Sequence, residues 1–364
     1  MRLFMPVEVW EETDAVRHHQ EAFQKAGRHA LIVTGRHSSR KNGSLQDVLD
    51  VLSASDISYT LFDAVRENPS VDSVVDAAAL GLREGADFVI GIGGGSPMDA
   101  AKAVALLMAH PGKDAAYLYE KGQDASHLPV ILVPTTCGTG SEVTAVSVLT
   151  RKVDGHLVKG SIPYHIFADT ALVDGKYLAF ATSEILCNTA IDALCHLWES
   201  AVNHDASSYS MMFAEEGLRT WAKNKDLLTE EPSSLSEDER LRLMHASALA
   251  GMAIAQTATA IPHALSYTLT ADAGIAHGRA TGYFQAGYLA QADQRTAEHL
   301  LQLAGFSSLK EYDDFYHSVC RIGELPESLL KTAVDAVAKN PAKLHKAPFG
   351  MNREKLMDVA FWRA

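Results

Sequence analysis

The segment Phe88-Val89-Ile90-Gly91-Ile92-Gly93-Gly94-Gly95-Ser96-Pro97-Met98-Asp99 constrains this chain more than any other. An apolar run passes directly through three glycines into a helix carrying Lys102. Such a strand, turn and helix junction belongs to parallel α/β sheets. Glycines let the backbone approach a phosphate closely, and the free N–H groups and dipole of the following helix supply a positive field. Pro97 suits the first helical turn. The run departs from the G-x-G-x-x-G pattern, because Ser96 stands where the third glycine belongs. Without a ligand, the same residues make a tight turn in which Ser96 and Asp99 form a capping box.

Around this junction the first half alternates. Apolar runs at Ala30–Thr34, Tyr59–Phe62, Phe88–Ile92 and Val130–Val133 are separated by helical periodicity at Ser44–Ser53, Val71–Gly85 and Pro97–Ala109. That rhythm predicts a doubly wound, mainly parallel sheet. Further β-rich pieces at Val143–Thr150, Leu157–Ile162 and Ala171–Val173 are expected to extend or flank it. After Thr182 the chain turns to long Ala/Leu/Met-rich segments of helical period, which predicts an all-α half. A chain of 364 residues exceeds what one core supports, so two domains are expected: α/β at 1–181 and helical at 182–364. Leu227–Glu239 reads as a polar connection, with Ser236 and Glu239 as a capping box restarting a helix.

Composition excludes several function classes. Thirty-two Lys+Arg against 45 Asp+Glu give a net charge of −13, which argues against a non-specific nucleic-acid binder. Cys137, Cys187, Cys195 and Cys320 lack C-x-x-C spacing, so no disulfide framework or thiolate zinc knuckle is expected, and a reducing, cytoplasmic location follows. Arg2 is followed by a brief apolar run and then Glu8, Glu11 and Glu12, the wrong order for a secretory signal. Ser247–Leu265 is interrupted by Gln256, Thr257, Thr259 and His263, so it reads as a buried helix and no membrane insertion is expected.

A second hydroxyl-rich loop, Pro134-Thr135-Thr136-Cys137-Gly138-Thr139-Gly140-Ser141-Glu142, also follows an apolar strand. Two such loops beyond the carboxyl ends of parallel strands can grip one dinucleotide from opposite sides. Gly93, Gly94, Gly95, Ser96, Asp99, Thr135, Thr136 and Thr139 are therefore candidate cofactor contacts. After the first apolar run, Gly35-Arg36-His37-Ser38-Ser39-Arg40-Lys41 offers cations and hydroxyls and no carboxylate. Gly35, Ser38, Ser39 and Lys41 there suit a 2′-phosphate, which favours NADP over NAD; a solvated basic loop is the plainer alternative.

Asp192 and His196, at i and i+4, share one face of a helix that Thr182 or Ser183 can cap. Alone, such a pair is most often a surface hydrogen bond. His263 and His277, however, stand in strongly apolar surroundings, and buried imidazoles need partners. One carboxylate and three neutral imidazoles around a divalent cation leave a net charge of about +1, suited to an alcohol oxygen at an open position. The N/O donor set fits Fe²⁺, Zn²⁺, Co²⁺ or Ni²⁺.

These motifs together resemble the iron-containing (group III) alcohol dehydrogenases over nearly the whole chain. The resemblance rests on Gly93–Lys102, Pro134–Glu142, Asp192-Ala193-Leu194-Cys195-His196, and His263 followed by His277-Gly278. It implies a dehydroquinate synthase-like architecture, with a dinucleotide-binding domain, a helical domain, and a metal held in the cleft by Asp192, His196, His263 and His277. Fe²⁺ is the expected ion and Zn²⁺ the alternative. It implies pyrophosphate contacts at Gly94, Gly95 and Ser96, a cofactor cleft lined by Thr135, Thr136 and Thr139, and Lys159 near the nicotinamide ribose. Gly35 stands where many members carry aspartate, as in members that look NADP-dependent. Tyr267 stands where many carry a histidine proposed to relay a proton; with an ordinary pKa of about 10, tyrosine relays poorly at neutral pH. The expected activity is reversible hydride transfer between a small alcohol or aldehyde and NADP, in a homodimer or larger assembly. A lyase related to dehydroquinate synthase, or a polyol dehydrogenase of the same fold, is the rival reading. The lyase needs several converging cations, yet Ala181–Leu218 contains no Lys or Arg.

Overall fold

In the computed structural model, which describes residues 3–153 and 155–363, the four apolar runs of the first half become neighbouring strands. They are β2 (His29–Gly35), β3 (Ser58–Val65), β4 (Phe88–Gly93) and β5 (Val130–Pro134), joined at the edge by β8 (Thr170–Val173) and β1 (Glu8–Glu11). The six-stranded sheet runs β1-β8-β5-β4-β2-β3, parallel throughout. Alternation in β2 explains why both faces are covered. Leu31 and Val33 enter one core with Met98 and Val104, while Ala30 and Ile32 enter another with Val48 and Leu52. The chain leaves β2 toward β3 on one side and reaches β4 on the other. That topological switch opens a crevice beyond the carboxyl ends of β2 and β4.

Of the later β-rich pieces, β8 extends the sheet. The other two, β6 (Val148–Val153) and β7 (His156–Ser161), form a separate antiparallel hairpin at its flank. The edge strand β1 lies in the stretch read only for the absence of a secretory signal, of which Met1 and Arg2 lie outside the described residues. Two glutamates in four residues hide β1 from a hydrophobicity pattern; its pairing with β8 decides it.

From Ser183 onward the described chain is helical or loop. Thr182 caps Ser183–Ala201 by accepting from Ile185 N–H, and Ser236 with Glu239 forms the expected capping box before Glu237–Thr257. Trp198 and Trp221, both buried, donate indole N–H groups to the carbonyls of Leu300 (3.2 Å) and Ala190 (2.7 Å), pinning the bundle. All four cysteines are buried free thiols, and no described helix is long and apolar enough to cross a membrane.

One expectation is corrected. Ser247–Leu265 is two helices, Glu237–Thr257 and Ile261–Ala273, separated by a break at Ala258–Ala260. Ala258 has φ 61° and ψ 176°, a conformation costly for any residue with a Cβ. Buried partners hold the break open: Asn203 donates to the Ala258 carbonyl (3.2 Å), and the Ala260 N–H donates to Glu199 (2.6 Å). Pro262 then restarts the helix where no N–H is needed. The polar interruptions Gln256, Thr257 and Thr259 fall at this break, so the residues mark its place but not its geometry. Since the Ala258 methyl is exposed, Ala258→Gly is expected to raise unfolding free energy by about 1 kcal/mol in urea titrations; an unchanged or lowered midpoint would mean the backbone is unstrained.

Candidate active site

The helix Ser183–Ala201 carries Asp192, His196 and Glu199 on one face, and all three are buried. Across from it the helix Ile261–Ala273 presents His263. Ligand atoms of Asp192, His196 and His263 lie within 4.8 Å of one another. His277 stands at the rim, its Nε2 3.8 Å from Asp192 Oδ1. It reaches that place because Gly278 lies hard against the first helix: a Cβ there would sit 1.8 Å from the Asn188 carbonyl oxygen. The four predicted donors thus converge, three tightly and one at the edge.

Hydrogen bonds leave the right atoms bare. His196 Nδ1 faces the Gly138 carbonyl at 3.2 Å, and a carbonyl only accepts, so Nδ1 carries the proton and Nε2 is the free nitrogen. His263 Nδ1 donates to Glu199 Oε1 at 2.5 Å, leaving Nε2 likewise bare. Asp192 Oδ1 and His263 Nε2 are buried without a hydrogen-bond partner, 3.5 Å apart. Orphaned acceptors facing each other in a dry pocket are what a cation would satisfy, so the residues present fit a divalent metal.

Electrostatics agree. Asp192 is penalised by burial, yet His196, His277 and His263 hold its carboxyl well below the usual range. Burial pulls His263 down, but Glu199 and Asp192 outweigh it and push it up to about 9: without a metal Nε2 would hold a proton in that negative field, and a divalent cation bound there would take the proton's place. Burial, reinforced by His263, Lys159 and His196 against the pull of Asp192, lowers His277 to about 3, so that ring is neutral. Burial and the carboxylates of Glu199, Asp192 and Asp99 raise Tyr267 to about 12. Its ring stacks on His277, with centroids 6.0 Å apart. Tyr267 keeps its proton at neutral pH and cannot serve there as a base.

These groups open into a cleft of about 580 Å³ that runs back to the sheet. Gly35, Ser38, Gly94, Gly95, Ser96, Asp99, Thr136, Thr139 and Lys159 line it. Gly93, Thr135, Ser39 and Lys41 are not among the lining residues. Thr135 N–H is spent on the Gly93 carbonyl (2.9 Å), Ser39 is buried against Thr34 (2.9 Å), and Lys41 is exposed. The helix Gly95–Ala109 has no side-chain cap, so the Ser96 and Asp99 capping box does not form and the first-turn N–H groups are left for a ligand. A Cβ on Gly95 would meet Thr139 Cγ2 at 2.8 Å, so glycine lets the two loops close on each other.

Asp99 and Lys102 turn inward instead. Lys102, fully buried, donates to Ser141 Oγ (2.9 Å), to the Ser141 carbonyl (3.0 Å) and to the Val146 carbonyl. Asp99 lies 3.2 Å from its ammonium and accepts from Ser141 Oγ (2.5 Å) and Val148 N–H (2.8 Å). This ion pair bolts the second loop to the first.

Sequence reasoning missed two residues here. Asn68 donates its N–H to Ser96 Oγ (3.2 Å) and accepts from Lys159 Nζ (2.7 Å), joining the glycine loop to the hairpin. Glu199 orients His263; its signal was a carboxylate three residues after His196, on the face that already carries Asp192. Arg279, close in sequence to His277, is taken by Glu184 (2.9 Å) and the Arg321 carbonyl (3.1 Å).

Comparisons with known proteins find matches along most of the chain. Residues 6–175 match the family model described as iron-containing alcohol dehydrogenase, and residues 186–339 match the C-terminal model of the Fe-containing alcohol dehydrogenase family. A long-chain primary alcohol dehydrogenase of Thermoanaerobacter ethanolicus is 35% identical over 255 residues, which is 69% of this chain and 63% of that relative. The chain thus matches less than two thirds of that relative's length. An iron-containing alcohol dehydrogenase structure from Thermotoga maritima superposes with TM-score 0.88 at 32% identity, covering 98% of both chains. A sulfoacetaldehyde reductase from Bifidobacterium kashiwanohense, in complex with NAD+, does so with TM-score 0.85 at 26% identity, covering 100% of this chain and 99% of that one.

Glu142, beside the bolted loop, gives a pH test. Burial raises its pKa from 4.5 to about 7, with Glu11 adding to the rise and its own backbone N–H and Lys102 opposing it. A raised folded-state pKa stabilises below the unfolded value, and that contribution is lost as pH climbs through the folded one. Glu142→Gln is therefore expected to exceed the parent in stability by about 3 kcal/mol at pH 8 and to lose that advantage by pH 4, read from urea melts at both values.

Proposed function

The chain belongs to the iron-containing alcohol dehydrogenase family, and from that membership we propose that it catalyses reversible hydride transfer between a small alcohol or aldehyde and NADP at a metal held by Asp192, His196, His263 and His277. The observation that carries this reading is the pair of buried, partnerless acceptors, Asp192 Oδ1 and His263 Nε2, opening into the same cleft as Gly94–Ser96. A divalent cation held there, iron expected and zinc the alternative, would supply Lewis acidity for the substrate oxygen, and a dinucleotide in the cleft would supply the hydride donor or acceptor.

The chain itself does the rest. Glu199 holds His263 in the tautomer with Nε2 bare, and Gly138 does the same for His196. The Gly94–Ser96 turn and the uncapped helix behind it receive the pyrophosphate, with Thr136 and Thr139 closing from the second loop. Lys159, held by Asn68, faces the nicotinamide ribose in this reading. Tyr267, protonated at neutral pH, donates a hydrogen bond or packs on His277 and does not relay a proton as base.

NADP is preferred to NAD because Gly35 and Ser38 line the cleft, Arg36 directly follows Gly35 and is exposed, and Asp63 is paired to Arg40 at 3.0 Å. The domain boundary is proposed at 181/182, where the sheet half gives way to the Thr182-capped helix. A homodimer or larger assembly in a reducing cytoplasm completes the reading, the four free thiols being compatible with that compartment. The lyase reading is disfavoured by Arg279, whose guanidinium is occupied by Glu184.

Purified protein is expected to contain stoichiometric iron or zinc and to oxidise NADPH with aldehydes, with a larger kcat/KM for NADPH than for NADH. Asp192→Ala and His277→Ala should lose metal and turnover while keeping the parent's circular dichroism. Phosphate release from a phosphorylated sugar acid without NADPH oxidation would replace this reading with the lyase. Glu199→Gln should weaken metal binding by about 10–100-fold in chelator competition; unchanged affinity would reduce Glu199 to a packing role.

A further inference from the structure

On its helical side the cleft is lined by a cation that neither the metal cluster nor the phosphate loops use. Lys343, from the short helical segment Pro341–Leu344, lines the cleft with Ala258, Thr259 and His263. Its Nζ donates to Thr259 Oγ1 at 3.2 Å and to the Thr259 carbonyl at 3.4 Å, both neutral and both long for an ammonium. Among the described residues no carboxylate lies within ion-pair distance of it. Its neighbour Lys346 shows the contrast, since that ammonium pairs with Asp205 at 2.5 Å. Burial lowers the Lys343 pKa, and the carboxylate that pulls it back, Glu199, is already engaged by Ala260 N–H, His263 and Gln285. A cation turned into a pocket with only neutral partners is paid for when an anion arrives.

Its position says which anion. Thr259, which holds Lys343, immediately precedes Ala260, whose N–H is bound by Glu199, and lies four residues before His263. The ammonium therefore stands beside the start of the helix that carries His263 and Tyr267, on the helical side of the cleft. The pyrophosphate loops belong to the sheet side.

We propose that Lys343 forms an anion-binding end of the substrate pocket, so that this protein prefers short aldehydes and alcohols bearing a terminal carboxylate or sulfonate away from the reacting carbon. The proposal rests on the dehydrogenase reading above and adds the charge of the substrate to it. The reacting oxygen lies at the Asp192, His196 and His263 cluster and the remote oxyanion accepts hydrogen bonds from Nζ, replacing the long bonds to Thr259.

The test compares NADPH-dependent reduction of 4-oxobutanoate, its neutral methyl ester and an aldehyde of similar length ending in a sulfonate, using metal-loaded protein. The acid is expected to exceed the ester in kcat/KM by about tenfold or more, with the difference in KM. The sulfonate arm tells whether any oxyanion or only a carboxylate is accepted, and either form of anion preference supports the proposal. Lys343→Met should bring the ratio of charged to neutral substrate close to one, and Lys343→Arg should retain most of it. Calorimetry with succinate as an unreactive probe should show binding to the parent that Lys343→Met loses. Equal kcat/KM for acid and ester in the parent would overturn this inference and leave the dehydrogenase reading standing. NADPH binding weakened by Lys343→Met as much as succinate binding would put the ammonium on the cofactor and also overturn it. If no aldehyde is reduced, the dehydrogenase reading fails, and succinate calorimetry still decides whether Lys343 binds an anion.

Discussion

The carboxylate of Glu199 is the interaction on which the geometry of the site depends. Fully buried on the helix Ser183–Ala201, it accepts from the Ala260 N–H, His263 Nδ1 and Gln285 Nε2 at 2.6, 2.5 and 2.8 Å. A charge in that position is tolerable only because all three donors converge on it. In return it fixes the break between two helices, the tautomer of one imidazole and the approach of a third segment. Removing any one donor would leave a buried anion short of partners, so the arrangement resists partial change.

Across the cleft, the Lys102 ammonium has the mirror-image task. It gathers the carbonyls of Ser141, Thr144 and Val146 and the carboxylate of Asp99, so the two glycine-bearing loops become one rigid wall. Burial lowers its pKa against the opposing pull of Asp99 and Glu142. One buried anion organises the helical wall and one buried cation the sheet wall. Each is neutralised within its own wall, which leaves the space between them for a ligand whose charges the cleft has not already matched. Cofactor phosphate at the uncapped helix start and a metal at the orphaned acceptors are the two ligands this permits most directly.

Much of this was legible in the residues. Fully apolar runs such as Phe88–Ile92 and Val130–Val133 read as central parallel strands and are, and the glycines after the first mark the tight turn that lines the cleft. Asp192 and His196 share a helix face by spacing alone. Elsewhere the signal was absent or divided. The edge strand β1 is half glutamate and is stabilised by its neighbour, and Ser39, Thr135 and Lys41 carried suitable chemistry but do not line the cleft. Asn68 and Lys343 are far in sequence from everything they serve, so no local pattern marks them.

Residue order alone carried the alternation of strands and helices, the glycine turn after Phe88–Ile92 and the inventory of candidate metal donors, because each depends on periodicity or on chemistry held within a few residues. Tertiary structure alone decided which nitrogen of each histidine is bare, that the helix breaks at Ala258, and that an unpaired lysine faces the cleft. Those outcomes depend on which distant groups satisfy a buried charge or hydrogen bond, and such partners are chosen in space, between residues 55 to 84 positions apart.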